Sequence, residues 1–227
     1  MAKSSVPSIF SPPRRAARQA RAIALGRRTE TTQWLLDEMR QDLAERIAFM
    51  QLEPEHRLDL ECDEERPIPG GPYDLITSVA RLDSVNDLPG ALIHARSALA
   101  EGGVFIAQLI GAGSLPILRQ IMLAADGDRP AARIHPQVDN RAATALLERA
   151  GFARQVVDSV TLKASYRSLD RLLDDLREQG LNSALLSPAP YLGKAGLART
   201  REAFDSLKDS EGRVTETFEI LTLTGWR

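Results

Sequence analysis

Cysteine is nearly absent: Cys62 is the only one in 227 residues. That excludes an internal disulfide and a multi-cysteine metal site, and it fits a reducing compartment. A lone cysteine is most simply a small core hydrophobe. No run of about 18 apolar residues occurs, so no membrane span is expected. An excess of one charge is missing as well. The 29 Lys and Arg nearly balance the 31 Asp and Glu, for a formal net charge of −2, which argues against wholesale binding to nucleic acid or anionic membrane. Acidic residues are missing from one place in particular, the opening stretch "MAKSSVPSIFSPPRRAARQARAIALGRR".

That stretch reads three ways. It has the Arg- and Ser-rich, acid-poor composition of a mitochondrial transit peptide. It is also a basic arm suited to an acidic partner, with Arg14, Arg15, Arg18 and Arg21 as the contacting charges. Most simply it is a solvated tail leading into a helix. The chain is accordingly divided into a basic arm, residues 1–30, and one domain, residues 31–227. A content of 43% apolar and 26% charged residues suits a single soluble domain with a sizeable core.

Periodicity outlines the domain. Thr31 or Thr32 can cap a helix whose apolar stripe is Leu35, Leu36, Met39, Leu43, Ile47 and Met50. RLDLEC alternates like a strand with one wet face. Pro67, Pro69, Gly70, Gly71 and Pro72 make a stiff loop, and YDLITSV is a second strand. Asp87 can cap a helix running through Leu99 and stopped by Gly102 and Gly103. VFIAQLI is apolar throughout, as a strand buried on both faces must be. Ser114 can cap the next helix, residues 127–139 read as a loop, and a helix runs from about Asn140 to Gly151. QVVDSVTLKASY is a strand, Ser168 to Gly180 a helix, Leu197 to Leu207 the last helix, and TFEILTLTGW the closing strand. Strands alternating with helices up to residue 150 predict a parallel α/β sheet.

Few residues carry a chemical signal. "LIGAGSLPIL" places a Gly-x-Gly turn between a strand and a helix, but the third glycine of a dinucleotide fingerprint would fall at Pro116, so a plain tight turn is the better reading. Glu61, Asp63, Glu64 and Glu65 have no histidine nearby and read as a solvated acidic loop rather than a metal site. His56 and His94 are scattered; His135, in a loop before Pro136, is the histidine to watch. Trp34 and Trp226 sit in apolar surroundings and are most simply core.

Four stretches carry a resemblance: "CDEERPIPGGPYDLITS", "VNDLPGALIHARSALAEGGVFIAQLIGAGSLPILR", "HPQVDNRAATALLERAGF" and "GRVTETFEILTLTGW". Together they resemble S-adenosylmethionine methyltransferases near the malonyl-acyl-carrier-protein O-methyltransferase of biotin synthesis. Within that group the chain is similar to the methyltransferase-like assembly factors of respiratory complex I, and "IFSPPRRAARQARA" resembles their basic start. The resemblance implies a Rossmann-like sheet of seven strands with S-adenosylmethionine at the carboxyl ends of the first strands. A glycine-rich loop would cradle its methionine part, and an acid after the second strand would hold its ribose. In the mitochondrial relative it implies hydroxylation of an arginine on a complex I subunit. Residue by residue, Asp63 matches the acid near the adenine amino group and Ser78 the end of the fourth strand; both are taken as vestigial cofactor-binding positions. The family's aromatic before "VNDLP" is Ser84 here.

One thing the family needs is missing. Between Leu60 and Tyr73 lie 12 residues, whereas a βαβ unit takes about 30. The glycine loop, two helices and two strands cannot fit there, and "LECDEE" has no glycine for close backbone approach. Arg57, Asp59 and Glu61 alternate with Leu58, Leu60 and Cys62, as in an edge strand covered on one face. These features predict a truncated methyltransferase fold: a mostly parallel sheet of five or six strands, helices on both faces and an antiparallel C-terminal strand. The leading expectation is a degenerate pseudoenzyme, with no cofactor bound, that works through a protein partner, with complex I assembly as the role the family suggests. It would use a protein or homodimer contact at the edge near Arg57 to Cys62 and neither nucleic acid nor a membrane span. The alternative is an active methyltransferase that binds S-adenosylmethionine in a site completed by a second chain. A third class is an acyl-carrier or small-molecule binder using a cleft near His135 and Tyr191. The compartment is the cytoplasm if the source is bacterial and the mitochondrial matrix if it is eukaryotic.

Overall fold

The computed structural model describes residues 7–29, 33–60 and 66–227. Thr31, Thr32 and the acidic stretch 61–65, with Cys62 and Asp63, lie outside them. Seven α-helices and five strands are described, in the order α1 (Pro12–Thr29), α2 (Trp34–Phe49), β1 (Arg57–Asp59), β2 (Tyr73–Val79), α3 (Leu88–Ala98), β3 (Leu99–Ile110), α4 (Pro116–Asp126), α5 (Asn140–Ala150), β4 (Arg154–Tyr166), α6 (Leu169–Glu178), α7 (Gly193–Ser206) and β5 (Val214–Trp226).

The strands form one sheet in the order β1-β2-β3-β5-β4. β1, β2 and β3 pair in parallel, and β5 lies antiparallel between β3 and β4. Four strands therefore point one way and the C-terminal strand the other, as the sequence predicts. β3 sits in the middle and is buried along its last eight residues, which explains its unbroken apolar run. Phe105, Ala107 and Leu109 face a core made with α3 and α5. Ile106 and Ile110 face the opposite side, under α2, α4, α6 and α7.

β1 lies at one edge of the sheet. Leu58 and Leu60 pack against the core while Arg57 and Asp59 are exposed, the alternation expected of an edge strand with one covered face. The Leu60 amide donates to the Thr77 carbonyl at 2.8 Å and the His56 carbonyl accepts from Asp74 at 2.9 Å. The even-numbered residues thus face β2. By the alternation of a ladder, the backbone groups of Arg57 and Asp59 face outward.

Several local expectations hold and others shift. Asp87 caps α3 by accepting from the Gly90 amide, and Ser168 caps α6 by accepting from Arg171. α5 ends at Gly151 with φ of 85°, the left-handed geometry that glycine tolerates. α3 stops at Ala98, however, because Leu99 already belongs to β3 and pairs with Tyr73 of β2. α7 begins at Gly193, ahead of its expected start at Leu197. Ser114 does not cap α4. Its hydroxyl donates to the Glu219 carbonyl and accepts the Glu219 amide, and Leu115 turns the chain at φ 60°. The cap comes from β5 instead: the buried Glu216 carboxylate accepts from the Ile117 and Leu118 amides at 3.3 and 2.7 Å. An acid at a helix N-terminus satisfies orphan donors and meets the positive end of the dipole.

Candidate functional site

In a parallel α/β sheet, ligands sit beyond the carboxyl ends of the strands. Here β2 and β3 end side by side, and the chain leaves β2 through Ala80 at φ 50°. A 3-10 turn, Leu82–Ser84, follows. Asn86, from the VNDLP stretch, does structural work at this end. Its side-chain oxygen accepts the amides of Ile9 and Phe10, both at 2.8 Å, and its nitrogen donates to the Phe10 carbonyl. The residues after it complete the seat. Phe10 bridges Leu185, and the Ser11 amide donates to Ala184 O.

The clamp at Asn86 draws α1 over the end of the sheet. Arg14 donates to the Leu185 carbonyl and Arg15 to the Ser84 carbonyl. Arg18, expected among the exposed charges of a basic arm, is only 4% exposed. Its terminal nitrogens reach Asn182 O at 3.1 Å and Ser84 Oγ at 3.0 Å. The correction has a simple cause. Chain ends and turns at this rim present carbonyl oxygens, and guanidinium groups satisfy them. Burial lowers the pKa of Arg18, with Asp83 opposing.

Beneath α1 lies a cleft of about 200 Å³. Its apolar wall comes from β3, α4 and α6, through Ile110, Leu118, Met122 and Leu176. Its polar end holds Arg18, Asp83, His135 and Asn182. His135 is the one histidine flagged in sequence that reaches a cleft. Its Nε2 accepts the Ala184 amide at 2.6 Å, and its ring meets Phe10 edge-on with centroids 5.1 Å apart. Burial, aided by the charge of Arg18, lowers its pKa to about 4, so the ring is neutral at physiological pH. Arg133, at the same cleft, is committed to Asp126 and to the Pro190 carbonyl, and it holds the Asp126 carboxyl below its usual range. Tyr191, paired with His135 in the sequence expectation, is 95% exposed and does not line the cleft.

The other candidates separate. Ser78 is 2% exposed, and its hydroxyl has no hydrogen-bond partner among the described residues. It lies on β2 opposite Ala107, on the face covered by α3. Asp63 lies outside the described residues. Ser84, at the family's aromatic position, is buried and holds Arg18. Trp34 is half-buried, packs edge-on with Phe218 and donates to the buried Asp175, which also accepts from Tyr166. No group of three or more His, Cys, Asp or Glu side chains suited to a metal occurs among the described residues.

Glycine turns matter most for a phosphate- or nucleotide-like ligand, and three glycine pairs are described; Gly102 and Gly103 lie within β3, where a Cβ on Gly103 would fall 2.8 Å from the Tyr73 carbonyl. Gly70 and Gly71 lie at the amino end of β2, where a Cβ on Gly71 would fall 2.7 Å from the Ala98 carbonyl. Gly111 and Gly113 lie at the carboxyl end of β3, but the space they leave is filled by the Glu219 side chain, which accepts the Gly113 amide at 2.7 Å. The GAG turn therefore holds a carboxylate of its own chain.

Residues 12–157 match the family model described as "Methyltransferase domain". The chain belongs to that family. This methyltransferase-domain chain is 29% identical over 197 residues to the mouse (Mus musculus) "Arginine-hydroxylase NDUFAF5, mitochondrial", covering 82% of this chain and 56% of the relative. It is 30% identical over 176 residues to the human protein of that name, with 73% and 50% covered. It is 27% identical over 165 residues to the "Malonyl-[acyl-carrier protein] O-methyltransferase" of Laribacter hongkongensis, with 72% and 54% covered. The chain thus spans about half the length of the curated relatives it matches. Among solved structures, a Bacillus halodurans protein described as a methyltransferase aligns over 81% of this chain and 97% of its own at 10% identity, with a TM-score of 0.49. No described helix is long and apolar enough to cross a membrane.

Proposed function

We propose that this methyltransferase-domain chain does not hold S-adenosylmethionine by itself and acts by binding a protein partner at the β1 edge of its sheet. The observation that carries this reading is the position of β1. It is an edge strand of three residues, joined to its neighbour β2 by residues 60–72 alone. A family member with its full sheet needs two further strands and a glycine loop on that side. The glycine turns among the described residues support the same reading. The glycines at 70 and 71 serve packing at the opposite end of the sheet, and those at 111 and 113 hold Glu219. The outward backbone groups of Arg57 and Asp59 offer a partner strand a ladder to join. Assembly of a respiratory complex is the role that the family resemblance suggests for such a partner.

Titration calorimetry of the purified chain with S-adenosylmethionine and its demethylated product tests the first half. The expected result is no saturable heat at micromolar concentrations. A micromolar dissociation constant would instead favour an active enzyme, with a second chain completing the site wherever that affinity appears only in an oligomer. Asp59→Lys tests the second half: association with the partner should weaken while the circular dichroism spectrum stays unchanged.

A further inference from the structure

The cleft under α1 contains polar groups that the fold leaves unused. Arg18 is buried, its terminal nitrogens donate to two neutral oxygens, and its Nε has no acceptor among the described residues. The buried Asn182 Oδ1 likewise has no donor there. Because His135 Nε2 accepts the Ala184 amide, the neutral ring carries its proton on Nδ1. A buried N–H without an acceptor is costly, and while the terminal nitrogens of Arg18 help to seat α1, its Nε–H serves no such contact. Ala22, one turn further along α1, is buried without any such polar demand. One side of the cleft is apolar, formed by Ile110, Leu118, Met122 and Leu176, while Asp83, Arg133 and Arg177 add further charges to its lining.

We propose that this cleft binds a small monocarboxylate with a compact apolar body, its carboxylate on the Arg18 Nε–H and its body against Ile110, Leu118, Met122 and Leu176. The sign follows from Arg18, whose guanidinium hydrogen-bonds only neutral oxygens, so an incoming anion gains a charge-assisted bond at Nε, while the nearby Asp83 carboxylate offsets part of the Arg18 charge and limits the site to a single negative charge. The size follows from the volume, since about 200 Å³ equals the share of roughly seven water molecules. A chain of about six carbons is the upper end of what enters. Asn182 Oδ1 adds a preference for an acid that also carries a hydroxyl. Nothing in this binding calls for a cofactor, so it stands whether or not the chain holds S-adenosylmethionine.

Titration calorimetry on the full chain decides it, with hexanoate, hexan-1-ol and hexylamine as probes. Hexanoate should bind saturably at one site, the alcohol about tenfold or more weaker, and the amine not at all. Arg18→Gln should weaken hexanoate by a similar factor. Since Arg18 is buried and its loss disturbs the seat of α1, a second variant is needed. Met122→Trp fills the cleft while leaving Arg18 in place, and it should abolish binding with the circular dichroism spectrum unchanged. Failure of hexanoate to saturate at millimolar concentration overturns the proposal. So do equal binding of all three probes and full binding by folded Met122→Trp protein.

Discussion

Glu219 reaches from β5 into the turn after β3 and accepts the Gly113 amide at 2.7 Å. Backbone and side chain interlock here, for the Gly111 amide also donates to the Glu219 carbonyl at 2.8 Å. A Cβ built on Gly111 would stand 2.5 Å from the Glu219 carboxylate. Gly111→Ala should therefore push the flexible Glu219 carboxylate off the Gly113 amide and cost about 0.5–1.5 kcal/mol of stability, read as a lower urea midpoint. Combining it with Glu219→Ala should add little to the loss, because that hydrogen bond is already gone.

The edge strand gives a paired test. Leu60→Lys puts a charge on the core side of β1 and should lower stability by several kcal/mol. Asp59→Lys, on the exposed side, gives up the Asp59 contacts to the Thr77 hydroxyl and to Arg57 and should cost about 1–2 kcal/mol, less than Leu60→Lys. Equal losses in chemical denaturation would mean that β1 is covered on both faces.

His135 makes stability depend on pH. Its folded pKa, about 4, lies below the ordinary 6.5, so the unfolded chain binds the proton first as pH falls. The stability contributed by the neutral buried ring is complete above about pH 6.5 and is lost progressively towards pH 4. The loss should amount to about 1–3 kcal/mol, since the side chain keeps some contact with solvent. Urea midpoints between pH 7.5 and 4.5 should fall more steeply for the native chain than for His135→Gln. Parallel curves would remove His135 as a cause.

Tyr166 and Trp34 both donate to the buried Asp175. Tyr166→Phe leaves that carboxylate one donor short and should cost about 1–3 kcal/mol. Asp175→Asn should cost less than Asp175→Leu, because the amide still offers an oxygen to both donors. Thermal unfolding of the three variants would check this order.

Much of the framework was legible because it rests on local signals. YDLITSV matches β2 residue for residue, and Asp87, Ser168 and Gly151 punctuate their helices as short-range capping rules require. The misses share a different cause. Glu216 caps α4 across about a hundred residues, and no spacing rule near Ser114 reveals that. Leu99 leaves its helix because Tyr73 is waiting for it. α1 looked like a solvated arm since its burial depends on Asn86, Ala184 and Asn182, far along the chain. His135 could be noticed as a loop histidine before proline, but its company with Arg18 and Asn182 could not. Tyr191, expected near the same cleft, is 95% exposed instead.

The order β3-β5-β4 has a consequence for how the molecule is made. Among the described strands β4 touches the sheet only through β5, and β5 is synthesised after the other four. Until it arrives, β4 has no ladder to join, the amino end of α4 lacks its carboxylate, and the turn after β3 stands open. Growth from the N-terminus thus yields a parallel three-stranded fragment with an uncovered flank, and a single late insertion closes it. Such distant pairings are slow to form and expose strand edges meanwhile. A nascent chain stalled before Val214 should therefore be a ready client for chaperones, whereas release of β5 should end that dependence in one step.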